Sequence, residues 1–193
     1  PNLAIVADDA KRSQLLTSLQ EQSLEELQAA LTPFLTDLAS YMLELSSRIK
    51  RHTAQENPHY ATALILQRKS ANIAQRLLRQ VAHYFTDLTP TSTDDSLWQY
   101  TIGSSNKLDL IDLEEFEDFL AIDRTVSLGE DLHQLPLEAL TLRLAALINA
   151  DPNHVRLPIH VRQLCRAFQL ALREADIPRN VLSHVFDYFA KRF

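Results

Sequence analysis

The side chains with the widest chemical range here are seven histidines and one cysteine: His52, His59, His83, His133, His154, His160, His184 and Cys165. Histidine ligates metals and moves protons near neutral pH, and a thiolate attacks carbonyls and disulfides. Their spacing supports neither chemistry. No HExxH pair occurs, and one cysteine cannot build a thiolate zinc site. His160 precedes Cys165 by five residues, the wrong angle for a pair on one helix face. Cys165 falls on an apolar stripe with Leu164 and Phe168, which reads as a small buried hydrophobe. The histidines read as surface or cap residues. Ser104 and Ser105 follow Gly103 without a GxSxG elbow, and no Walker A loop is present. The expectation is no catalytic residue, no metal site and no cofactor.

Charge is the stronger pattern. Residues 109–131 hold nine acids and one base, Arg124, whereas residues 151–193 hold seven bases and four acids. An acidic run suits the positive N-terminus of a helix, and it also steers a basic partner. Asp112, Glu114, Glu115, Glu117 and Asp118 are therefore the candidate partner-binding face. Asp109, Asp112, Glu114 and Glu117 are enough oxygen ligands for a divalent ion, but no EF-hand loop surrounds them. Arg48, Lys50, Arg51, Arg68, Lys69, Arg76 and Arg79 offer phosphate contacts, without the interleaved aromatics of a stacking platform. At a net charge of -6, nucleic acid is not the expected partner.

The elements that position these groups are helical. The chain has 193 residues, 46% hydrophobic, with only 2 Gly. Glycine-rich phosphate loops and primed hairpin turns are thereby excluded. The single cysteine fits a reducing compartment, and no run of 18 apolar residues occurs, so a cytoplasmic chain without a membrane span is expected. The start at Pro1 without Met suggests a fragment or a processed product.

Ser23 with Glu26 matches a capping box that starts a helix, and Thr32–Pro33 predicts a kink or restart. Leu31, Leu35, Leu38, Met42, Leu45 and Ile49 recur at spacings 4, 3, 4, 3, 4, widened by Leu27, Phe34 and Tyr41. Such a seam is bundle core, and it also permits homodimerisation. Asn57–Pro58 caps a second long helix to about Phe85, with Leu64, Ala71, Ala74, Leu78, Val81 and Phe85 as its stripe and Leu77 and Tyr84 beside it. Two polar loops bracket Trp98, the candidate aromatic lining of a ligand pocket. Beyond them, Leu110, Leu113, Phe116 and Leu120 open a stripe. Pro136 starts or kinks the next element. Pro158 precedes a helix burying Cys165 and Phe168, and Pro178 opens the last, with Leu182, Val185, Phe186, Phe189 and Phe193. The expected fold is all-α with six to seven helices, a long antiparallel pair followed by a compact bundle of shorter helices. The expected domains are 1–88, a linker at 89–107, and 108–193.

The run Leu108–Glu117, then Leu142–Leu147, then Leu164-Cys165-Arg166-Ala167-Phe168 with Ala171-Leu172, and Val181-Leu182 with Phe186 and Phe189, resembles a proteobacterial family of large helical proteins. That family is catalogued as domain of unknown function 1631, and the resemblance is best over residues 105–193. It implies a piece of a long, mostly helical cytoplasmic protein. Some members carry a PilZ-like domain near the C-terminus, which implies a link to cyclic-di-GMP signalling. Arg162-Gln163-Leu164-Cys165-Arg166 matches the RxxxR half of that signature, but no [DN]xSxxG follows. The family offers no catalytic residues to transfer. The expectation is a non-enzymatic interaction or scaffold module of a larger bacterial regulatory protein, engaging a protein partner or other domains of its parent chain. The alternative is a small-molecule or nucleotide sensor.

Overall fold

The computed structural model describes residues 3–48, 57–89 and 113–193, with side chains from residue 9 in the first stretch and from residue 119 in the last. Five α-helices occupy them: α1 (Leu3–Arg48), α2 (Pro58–Tyr84), α3 (Leu113–Ile148), α4 (Val161–Glu174) and α5 (Leu182–Arg192). Short 3-10 turns lie at Pro152–His154 and Arg179–Val181, and no strand occurs among the described residues.

The helix count is below the expected six to seven because two predicted breaks do not separate helices. Ser23 caps nothing, since α1 runs through it for 46 residues. Pro33 also lies inside α1. Proline removes one N–H and crowds the carbonyl four residues back. The seam around it overrides that cost: Leu31, Phe34, Leu35, Leu38 and Met42 are all buried. Thr32, expected as a cap, instead donates its hydroxyl to Gln28 O at 3.2 Å, as a mid-helix threonine does.

The second start is as expected. Asn57 has extended backbone, and its Oδ1 accepts from His59 N at 3.0 Å and Tyr60 N at 3.4 Å, with Pro58 in the first helical position. Asn57 Nδ2 donates to Ser46 O at 3.1 Å, so the end of α1 meets the start of α2 and the two run antiparallel. Within the chain the α1 seam packs on α2, where Leu31, Leu35, Leu38 and Met42 are buried. The expected α2 stripe is only partly in phase: Val81, and Leu77 and Tyr84 beside it, are buried as expected. Ala71 is exposed and Leu64, Ala74, Leu78 and Phe85 are only half-buried, and Ala63, Leu66 and Ile73 are buried instead. Both stripes have helical period, and the α1 seam selects between them.

α3 covers 36 residues as two shorter helical segments joined at a kink. It breaks at His133 (φ −118°, ψ 19°), in the turn before Pro136, which confirms the expected kink. Leu120, expected inside, is exposed, and Ile122, Thr125 and Val126 are buried instead, on the side facing α5. Glycine occurs once among the described residues. A Cβ on Gly129 would come within 2.6 Å of Val161 Cγ1, so this glycine permits α3 to approach the start of α4. The αL positions at helix ends fall to Asn149 (φ 55°) and Asp176 (φ 63°). After each of them a Schellman bond closes the helix, Ala150 N to Ala145 O at 2.9 Å and Ile177 N to Leu172 O at 3.3 Å.

One core joins the stretches before and after the expected linker. Phe34 of α1 meets Phe168 of α4 edge to face at 5.9 Å and Phe189 of α5 at 5.6 Å. Lys69 of α2 donates to Ala175 O at 3.0 Å, at the end of α4. All of the expected linker but Thr89 lies outside the described residues.

Candidate functional site

Cys165 is fully buried, and burial pushes its thiol up to about 12, with Glu130 adding to the rise. At neutral pH it is a thiol, and it packs as a small hydrophobe, as its stripe position implies.

His160 is the N-cap of α4. Its Nδ1 accepts from Arg162 N at 3.3 Å and stands 3.8 Å from Glu130 Oε1. An Nδ1 that accepts a backbone N–H carries no proton of its own. Burial lowers the His160 pKa against the pull of Glu130, so the ring is neutral and the contact with Glu130 is not an ion pair at neutral pH. Glu130 instead pairs with Arg162 Nη2 at 3.3 Å. The cluster fastens α3 to α4. Sequence spacing places Arg162 on the solvent side of α4 and does not reveal Glu130 as its partner.

His59 and His184 depart from the expected surface or cap roles. His59 lies buried in the first turn of α2, and its ring meets that of His184 at 5.0 Å and 75°. Each Nδ1 is buried without a hydrogen-bond partner. Burial, then His184, lowers the His59 pKa. Among the described residues no group of three or more His, Cys, Asp or Glu is placed to hold a metal ion.

Three of the seven bases that could contact phosphate are engaged in structure, while Lys50 and Arg51 lie outside the described residues. Lys69 bonds Ala175 O and Asp176, Arg76 pairs with Glu174 and takes a bond at 2.9 Å to Asn72 Oδ1, and Arg48 pairs with Glu44. Lys69 and Arg76 thus neutralise the C-terminal end of α4, where helix carbonyls concentrate negative potential.

Trp98 and Asp112 lie outside the described residues. Glu114, Glu115, Glu117 and Asp118 lie in the opening turns of α3, and their side chains are outside the described ones.

The surface feature missed by sequence reasoning is further along α3. Among the described residues seven large apolar side chains are exposed, and five belong to α3: Leu120, Leu128, Leu132, Leu135 and Leu142. Leu135 is 76% exposed and Leu132 66%. The His133 break opens a groove of about 300 Å³ between α3, α4 and α5, walled by Leu132, Pro136, Leu137, Ile159, Leu164 and Phe189. A more polar cleft of about 480 Å³ lies on the other side of Leu137, between Glu130, Glu138, Leu142 and His160. The spacing of these leucines was legible as helical, but a stripe in sequence does not say whether its cover lies in the same chain.

A family model described as "Protein of unknown function (DUF1631) N-terminal domain" matches residues 11–193. The chain belongs to the DUF1631 family. The match takes in the α1–α2 pair as well as α3 to α5, beyond the 105–193 stretch that carried the resemblance. No curated protein and no solved structure matches this DUF1631 domain. No helix among its described residues is long and apolar enough to cross a membrane.

Proposed function

We propose that this DUF1631 domain is a non-enzymatic interaction module of a larger regulatory protein, engaging a protein partner or other domains of its parent through α3. The observation that carries the reading is the gathering of exposed leucines on the one helix that also holds eight acids and two bases. Monomeric proteins rarely leave such apolar surface uncovered, and acids beside it steer and select a partner. α3 is presented on α5 and α4, which in turn pack on the α1–α2 pair.

The test replaces Asp112 and Glu114, Glu115 and Glu117 by Asn and Gln and compares co-purification from source-cell lysate with the wild-type chain. The expected result is a stoichiometric protein, released by rising salt, retained by the wild type and lost by the variant at an unchanged melting midpoint. Retention by both overturns the role of the acidic face, and retention by neither overturns the reading. The sensor alternative, tied to cyclic-di-GMP, draws on the groove at the His133 break alone, whose walls are mainly aliphatic and aromatic and suit a phosphate poorly. A response of Trp98 fluorescence to a nucleotide panel would revive it.

A further inference from the structure

We propose that His160 is a proton-controlled switch at the α3–α4 junction, whose ring exchanges the cap of α4 for a charged link to Glu130 on α3. Both partners lie within reach of one nitrogen. His160 Nδ1 accepts the Arg162 backbone N–H at 3.3 Å and stands 3.8 Å from Glu130 Oε1. A neutral Nδ1 serves the first contact; a protonated Nδ1 is a donor and serves only the second. The backbone of His160 is held on both sides, its N–H donating to Leu157 O and its carbonyl accepting from Leu164 N, each at 3.0 Å. Only the ring therefore has to move, by about 1 Å, to bring Nδ1–H to charge-assisted distance of the carboxylate. The ring is 29% exposed, so solvent protons reach it. The charged groups around it are Glu130 and Glu138 on α3, which line the polar cleft with His160, and Arg162 on α4. From the Pro152–His154 turn, Pro152 and Asn153 line that cleft without charge, and His154 stands 3.6 Å from Asp151. Glu130 Oε1 already accepts from Arg162 Nη2 at 3.3 Å, and a carboxylate has lone pairs left for a second cation. Burial opposes the charged ring, Glu130 favours it and Arg162 opposes it. The exchange therefore belongs to acid, below the usual histidine value of 6.5. In that state the first turn of α4 loses its cap, and α3 gains a second charged tie to the start of α4. Because α3 carries the exposed leucines, the proton acts on how that face is held, whatever it engages.

The test is a titration of the isotope-labelled chain by nuclear magnetic resonance, from about pH 7.5 to about 4.5. His160 Nδ1 should carry no proton at neutral pH. As the ring titrates, the Arg162 amide should lose exchange protection about tenfold or more, while the amide of Phe168, deeper in α4, keeps its own. Glu130→Gln leaves an acceptor for Arg162 and should lower the His160 midpoint by about half a unit or more. His160→Asn supplies a cap acceptor that does not titrate, so the Arg162 amide should stay protected throughout. Should that variant fail to fold, Glu130→Gln decides alone. A proton on Nδ1 at neutral pH overturns the switch, and so does an unchanged midpoint in Glu130→Gln. Loss of protection at Arg162 and Phe168 together marks global unfolding and overturns it as well. Loss at Arg162 over the same range in folded His160→Asn overturns the role of His160.

Discussion

His59 of α2 and His184 of α5 meet edge to face, with ring centroids 5.0 Å apart and neither Nδ1 hydrogen bonded. The pair pins the start of α2 to the last helix. It also makes the junction sensitive to acid. Burial, and secondarily His184, hold the folded-state pKa of His59 below its usual 6.5. The unfolded chain therefore binds a proton before the folded chain does. The stabilisation from neutral His59 is complete above about pH 6.5 and is lost as pH falls from there through the folded-state value. His160, also lowered, adds in the same direction. His59→Phe keeps a ring and removes the titration. Urea midpoints between pH 7.5 and 5.5 should fall less steeply for the variant; equal slopes would rule out this origin.

Gly129 faces Val161 at the α3–α4 crossing. Alanine ordinarily gains about 1 kcal/mol over glycine within a helix. Here the added methyl would stand 2.6 Å from a β-branched side chain, so the overlap outweighs the gain. Gly129→Ala should destabilise by ~1 kcal/mol or more, a loss of roughly 2–4 °C or more in thermal midpoint. Adding Val161→Ala should return most of it. A lone Gly129→Ala variant more stable than wild type would contradict the crossing.

Asn57 is 5% exposed and makes three hydrogen bonds, two that cap α2 and one that reaches Ser46 O. Asn57→Ala should cost about 1–2 kcal/mol. Asn57→Asp keeps the caps but exchanges the donor for a second acceptor beside a carbonyl, so it should recover only part. Full recovery in chemical denaturation would show that the Ser46 bond contributes nothing.

Phe34 joins α1 to α4 and α5 through Phe168 and Phe189. Phe34→Ala should cost about 3–5 kcal/mol. Because the core runs through both stretches, far-ultraviolet circular dichroism and tyrosine fluorescence should lose the fold in one coincident transition. Two separate transitions would support independent subdomains at 1–88 and 108–193.

The sequence by itself determined the all-α class, the α1 seam, the Asn57–Pro58 start, the Pro136 kink, the α4 stripe around Cys165 and the aromatic last helix. Each is a local signal, a period or a cap, that neighbouring residues specify. Tertiary structure decided the rest. Pro33 stays inside a helix because buried leucines on both sides keep α1 continuous through it. The phase of the α2 stripe depends on the seam opposite, and the exposure of Leu120 depends on where α5 lies. The meeting of His59 with His184, of Glu130 with Arg162, and of Gly129 with Val161 joins residues 32 to 125 positions apart. Helical period carries no record of such pairings, because it fixes which residues share a face and not what that face will meet.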